Sequence, residues 1–288
     1  MSAIARFVRK VEDVLMTIKD LRRAAPTAEE ARLADRLRAD LDAIGREAHG
    51  ATQSDFWFET CNALRACAHD GDPRDFMRWG PIAGTMVHRT SRASVGALAT
   101  LRRSEDWTRW REVLRHPNVG NAPPFLAAPW TSAISAQHAS HLLHFRRLTG
   151  SDFLDADIIL DMGAGYASMC RLIKRLGYRG DYIIFDQPPV LALQRYFLGR
   201  HGIEAAYGEF GPSRVALCRA FDRMRALIRP GARVALISTW AMSEMPIDVR
   251  RQIEPFIGEA EKVLLAYQPE VHRHRQPRLF RGAGGAAG

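Results

Sequence analysis

Residues 156–186, ADIILDMGAGYASMCRLIKRLGYRGDYIIFD, constrain this chain more than any other stretch. The apolar run Ile158-Ile159-Leu160 ends in Asp161, and a glycine turn follows at Gly163 and Gly165. A helical segment comes next, and a second apolar run closes on Asp186. A chain builds one βαβ unit in this way, leaving two neighbouring strand ends to hold a nucleoside-type group.

The spacing narrows the kind of group. A dinucleotide fingerprint needs a third glycine three residues after Gly165, where Ser168 stands, and has no use for an acid before the turn. S-adenosylmethionine carries a ribose diol, an adenine, an amino-acid tail and a sulfonium, but no phosphate. Asp186, 25 positions after Asp161, is placed to accept charge-assisted hydrogen bonds from both ribose hydroxyls. Gly163 and Gly165 allow a tight turn and a close approach to the ligand, whose space a Cβ would occupy. S-adenosylmethionine is therefore the expected cofactor, held by Asp161, Gly163, Ala164, Gly165, Tyr166, Asp186 and Gln187.

Beyond residue 130, apolar runs alternate with helical stretches: strand 157–161, helix 166–176, strand 182–186, helix 189–200, a weak run at Val215–Leu217, helix 219–228, strand Arg233–Thr239, helix 247–260 and strand Val263–Tyr267. Alternation of this kind predicts an α/β fold, a parallel Rossmann-like sheet with helices on both faces. Right-handed crossovers would bring Asp161, Asp186 and Thr239 to one ligand-binding edge. Thr239 and Trp240 thus join the expected cofactor site. Trp240 could stack on an adenine or sugar ring, or fill the gap beneath its loop.

The N-terminal part reads as all-helical. Ile4, Phe7, Val11, Val14, Ile18 and Leu21 lay one apolar seam along a helix that Pro26 stops. Thr27 and Glu30 form a capping-box pattern for a second helix carrying Leu33, Leu37, Leu41 and Ile44. Residues 1–50 are expected to be a helical hairpin for packing or homo-oligomerisation. Residues 51–130 are expected to form a helical domain around Phe56, Trp57, Phe58, Phe76 and Trp79, ending in the proline-rich connection Pro117–Pro129. The cofactor-binding domain would span 131–281, with a disordered tail at 282–288.

Three segments carry a resemblance to a known family: LDMGAGYASMCRL (160–172), GDYIIFDQPPVLALQRYFL (180–198) and STWAMSEMP (238–246), with ISAQHASHLLHF (134–145) upstream. The chain resembles the class I S-adenosylmethionine-dependent methyltransferases, and more narrowly the bacterial sugar O-methyltransferase family. The resemblance covers residues 130–270 and implies a class I methyltransferase sheet and methyl transfer to a sugar hydroxyl. Ala167 stands where the family has a third glycine, a change expected to cost little if that position needs no positive φ. Gln187 stands where leucine is usual. The last two strands of the usual seven-stranded sheet are not evident after Tyr267.

A sugar hydroxyl is a weak nucleophile, so its methylation requires alignment with the methyl group and a base near its proton. The candidate bases are His138 and His141, on one face of the predicted helix Thr131–Arg147 together with His144, and Glu244 after the Thr239 strand end. No carboxylate pair is spaced to demand a metal. Cys61, Cys67, Cys170 and Cys218 form no C-x-x-C pair or zinc pattern.

The formal charge of +9 favours an anionic partner, although the basic residues are spread along the whole chain and only four of the 41 are lysines. A sugar or glycan acceptor fits the resemblance, and the basic segment His272–Arg281 could contact an anionic glycan carrier. Methylation of nucleic acid is a second reading, suggested by charge alone. A degenerate, non-catalytic methyltransferase acting as an oligomeric assembly partner is a third. No apolar run approaches the length of a membrane span, and charges interrupt the N-terminus, so a cytoplasmic location is expected.

Overall fold

The computed structural model describes residues 3–21, 24–44, 54–115, 117 and 119–267. The basic segment His272–Arg281 and the tail 282–288 lie outside the described residues. Among the described residues, the N-terminal part holds helices and no strand: α1 (Ala3–Leu21), α2 (Ala28–Ile44), α3 (Asp55–Asp70), the single turn α4 (Gly80–Ala83), α5 (Arg92–Arg102) and α6 (Trp107–Leu114). A long irregular connection then leads to α7 (Ala133–Thr149). Among the described residues, no helix is long and apolar enough to cross a membrane.

The Thr27–Glu30 capping box forms reciprocally. The Thr27 amide donates to Glu30 Oε2 at 2.9 Å and the Glu30 amide donates to Thr27 Oγ1 at 3.2 Å. The expected hairpin does not form. Leu33, Leu37 and Leu41 of α2 are buried, but the helix packs along α9 (Pro188–Gly199) of the α/β part rather than along α1. The α1 seam is turned outward, with Ile4, Phe7, Val14 and Ile18 all exposed. Inward-facing Glu12 and Met16 hold this helix to the body instead. Glu12 is fully buried, accepting from the Thr90 amide at 2.9 Å and pairing with Arg89 at 3.3 Å.

The α/β part alternates as expected: β1 (Ile158–Met162), α8 (Ser168–Arg175), β2 (Asp181–Phe185), α9, β3 (Ala205–Tyr207), β4 (Val215–Cys218), α10 (Phe221–Ala226), β5 (Val234–Thr239), α11 (Ala241–Glu244), α12 (Ile247–Glu259) and β6 (Lys262–Ala266). All six strands run parallel in the order β3-β4-β2-β1-β5-β6, a Rossmann-like α/β sheet beside a helical N-terminal part. Every residue of β1, β2, β4 and β5 is buried, which requires cover on both faces. The weak run at Val215–Leu217 is a central strand, and the edge strand β3 had no sequence signal. The chain runs outward from β1 to β2 and returns across β1 to β5. That reversal opens a crevice at the C-terminal strand ends.

The helical part and the sheet share one core. Phe76, fully buried, packs edge-on against Tyr166, Tyr196 and Phe197 at centroid distances of 5.8, 6.2 and 6.1 Å. Gly120 makes room for it, since a Cβ there would collide with the Phe76 ring. Of the aromatic group expected to fill a separate helical core, Phe56 is exposed and Phe76 belongs to the α/β core. Residues 119–128 run as a buried connection anchored by Val119 and Phe125.

Candidate active site

The turn after β1 is built from three left-handed residues, Gly163 (φ 72°), Gly165 (φ 57°) and Ala167 (φ 69°). Ala167 therefore does need a positive φ, so the condition under which the change would cost little is not met, and its Cβ costs about 1–2 kcal/mol there. The glycines are needed for different reasons. A Cβ at Gly163 would collide with Ala241 of α11, so this glycine seats a neighbouring helix rather than a ligand. A Cβ at Gly165 would meet only Met86, at 3.8 Å, so this glycine serves the turn itself.

Around this turn lies a solvent-open cavity. Its walls include His138, Gly163, Ala164, Gly165, Tyr166, Asp186, Gln187, Thr239, Trp240 and Glu244, ten of the residues the sequence singled out. The carboxylate of Asp186 stands at the tip of β2. Its Oδ1 accepts from the Gln187 amide and its Oδ2 from Gln194 Nε2, both at 2.8 Å. Burial pushes this carboxyl up to about 7, against the pull of those bonds.

Asp161 is placed differently from expectation. It is 1% exposed and absent from the cavity wall, and its Oδ2 accepts from Tyr182 Oη at 2.7 Å. Its Oδ1 has no partner among the described residues, and burial raises the carboxyl to about 7. Asp161 supports the sheet beneath the turn and does not reach the cavity.

The histidines divide. His138 is buried on the cavity wall, with Nε2 3.4 Å from Thr239 Oγ1 and Nδ1 unpartnered among the described residues. Burial holds its imidazole well below the usual value. His141 does not line the cavity; its ring meets Trp240 edge-on at 5.6 Å. His144 is exposed. Trp240 itself is left-handed (φ 68°), a costly conformation for so bulky a residue. It stacks on His138 at 5.5 Å and leans on His88 at 4.8 Å, so it both fills the gap beneath its loop and presents a face to the cavity.

Three further residues contribute: Trp57, which the sequence reading placed in a helical core, and His88 and Gln194, which it did not assign to the site. Trp57 of α3 and His88, after α4, reach the wall from the helical part. Neither lies near the motif in sequence, so only the helix packing could disclose them. Gln194 of α9, fully buried, donates from Nε2 to both Gly165 O (2.7 Å) and Asp186 Oδ2, clamping the turn to the acid. Its signal was position: eight residues after Asp186, two helical turns along α9. No group of three or more metal-ligating side chains occurs among the described residues.

No protein-family model matches the chain, and no curated protein matches it. Among solved structures, it is similar to the S-adenosylhomocysteine-bound Podospora anserina methyltransferase PaMTH1, with 10% identity, 63% of this chain and 62% of that chain covered, and a TM-score of 0.30. It is also similar to the mitomycin 7-O-methyltransferase MmcR, with 15% identity, 90% and 78% covered, and a TM-score of 0.29. The match spans less than two thirds of PaMTH1. At such scores neither likeness carries an argument about this chain, and the fold assignment rests on the sheet itself.

Proposed function

We propose that the chain is an S-adenosylmethionine-dependent O-methyltransferase. The observation that carries this reading is Asp186 at the β2 tip, facing the crevice beside the left-handed turn and locked there by Gln194. The residues fit the cofactor. The Asp186 carboxylate accepts from the Gln187 amide and Gln194 Nε2, with the Ala164 amide also acting on it, and it keeps acceptor capacity for the ribose hydroxyls. Gly165 leaves the turn open on the cavity side, and Trp240, Met245 and Phe185 offer surface for an adenine or the reacting sulfonium. When bound, the cofactor supplies a methyl group on a good leaving group.

The chain's own residues would do the rest. Asp186 fixes the ribose, the turn 163–166 sets the depth of the adenosyl group, and Trp57, Trp240 and the α7 face exclude water from the acceptor half. Glu244 and His138 are the sequence-derived bases that reach this half, whereas His141 would act only through Trp240. The resemblance of 160–172, 180–198 and 238–246 supports a sugar hydroxyl, on a glycan or glycosylated metabolite, as the acceptor. Trp57 and Trp240 offer flat faces for a sugar ring, and Glu244 a carboxylate for its hydroxyls. Calorimetric titration with S-adenosylmethionine tests the reading: binding is expected, and it should be lost in Asp186→Ala. An unaltered protein that does not bind would favour the scaffold alternative.

A further inference from the structure

His88 has no part in the motif-bearing segments, yet it lines the cavity from a short strap between α4 and α5. The strap is tied down on both sides. Arg89 pairs with Glu12 (3.3 Å) and Asp13 (2.9 Å), the Thr90 amide donates to Glu12 Oε1, and Thr90 Oγ1 accepts from the Leu126 amide at 3.1 Å. The ring leans on Trp240, and its Nδ1 is bonded to Gln137 Oε1 on α7.

An amide oxygen can only accept, so Nδ1 carries the proton and Nε2 keeps its lone pair. Burial holds the imidazole below its usual value, against the opposing effect of the Gln137 bond, and the ring is therefore neutral at pH 7. The other histidines are less well placed for proton transfer. The Nε2 of His138 faces Thr239, its Nδ1 is enclosed, and its ring lies stacked against Trp240. His141 is off the cavity wall.

Resting on the methyltransferase reading above, we infer that His88 takes the proton of the acceptor hydroxyl and that Gln137 is the positioning residue that fixes its tautomer. As the acceptor oxygen bonds to the methyl carbon, the carbon–sulfur bond breaks and its electron pair returns to sulfur, which loses its charge. The hydroxyl proton moves to Nε2. A methyl ether, S-adenosylhomocysteine and an imidazolium result, and the imidazolium passes its proton to water. The helical N-terminal part thereby contributes a catalytic residue to the site, with Glu12 holding its strap.

The test is histidine-selective ¹⁵N labelling and long-range proton–nitrogen spectra of the full chain at pH 8, with His88 assigned by its loss in His88→Gln. One neutral tautomer is expected for His88, protonated at Nδ1, and Gln137→Leu should convert it to a mixture while Gln137→Glu keeps it single. On a hydroxyl probe that the unaltered protein methylates, His88→Gln should lower kcat by on the order of 10²–10⁴-fold and leave S-adenosylhomocysteine affinity unchanged. An Nε2-protonated ring, a tautomer indifferent to Gln137→Leu, or a kcat unmoved by His88→Gln would overturn the inference. Failure of the unaltered protein to bind S-adenosylhomocysteine would overturn the methyltransferase reading instead, and the tautomer measurement would still stand as a separate result.

Discussion

The side-chain amide of Gln194 lies 2.8 Å from Asp186 Oδ2, and the same nitrogen donates to Gly165 O at 2.7 Å. One buried side chain thus couples the acid at the tip of β2 to the turn after β1. Gln194→Leu should remove both bonds. Hydrogen bonds to charged groups contribute about 1.5–3 kcal/mol each, so affinity for S-adenosylhomocysteine at pH 8 should fall by about 10- to 100-fold. Calorimetry reads this, and a circular dichroism melt confirms that the variant is folded.

Cofactor affinity should depend on pH through Asp186. Its carboxyl, raised to about 7 by burial, must be ionised to grip two hydroxyls. Affinity should therefore be constant above about pH 8 and fall below pH 7 by roughly tenfold per unit. The ligand-free fold responds in the opposite sense. Asp161 and Asp186 both have folded values above those of the unfolded chain, so their contribution to stability is fully present below about pH 4 and is lost as pH rises through 7. Urea titrations at pH 5 and pH 8, with Asp161→Asn for comparison, measure that term. The Asn variant should flatten part of the dependence.

Gly163→Ala should be destabilising for two separate reasons. Its left-handed φ costs about 1–2 kcal/mol with a Cβ, and the collision with Ala241 adds about 1–3 kcal/mol of overpacking. Denaturant unfolding should show a loss of about 2–5 kcal/mol. Gly163→Ala combined with Ala241→Gly should recover the overpacking part only.

Glu12 is a buried acid holding the strap that carries His88. Glu12→Ala leaves the Thr90 amide without its acceptor and leaves Arg89 with Asp13 alone, at a cost of about 1–3 kcal/mol. Hydrogen exchange at residues 88–90 should accelerate more than exchange within α7, because α7 keeps its own contacts. Equal protection in both segments would mean that α1 does not fix the strap.

What the sequence disclosed was local. The Gly163–Asp186 spacing, the α8 and α9 helices and the β5 end at Thr239 are each encoded within a few residues, and they were legible. The role of Asp161 was not. Every position of β1 is buried, so no in–out alternation shows which way the acid points, and only the pairing of β1 with β2 brings Tyr182 Oη to it. The left-handed state of Ala167 was hidden because residue identity argues against it. Trp57 and His88 reach the cavity through packing between segments far apart in the chain, which no local pattern encodes. The α1 seam misled because a regular apolar stripe does not say whether it faces the body, and here a buried acid decided that instead.

The most direct measurement is a crystal structure of the chain grown with S-adenosylhomocysteine. The ribose hydroxyls are expected within hydrogen-bond distance of the Asp186 carboxylate, with the adenosyl group against residues 163–166 and the sulfur directed toward Trp240. An adenosyl group bound elsewhere, or an Asp186 carboxylate turned away from the ribose, would contradict the account.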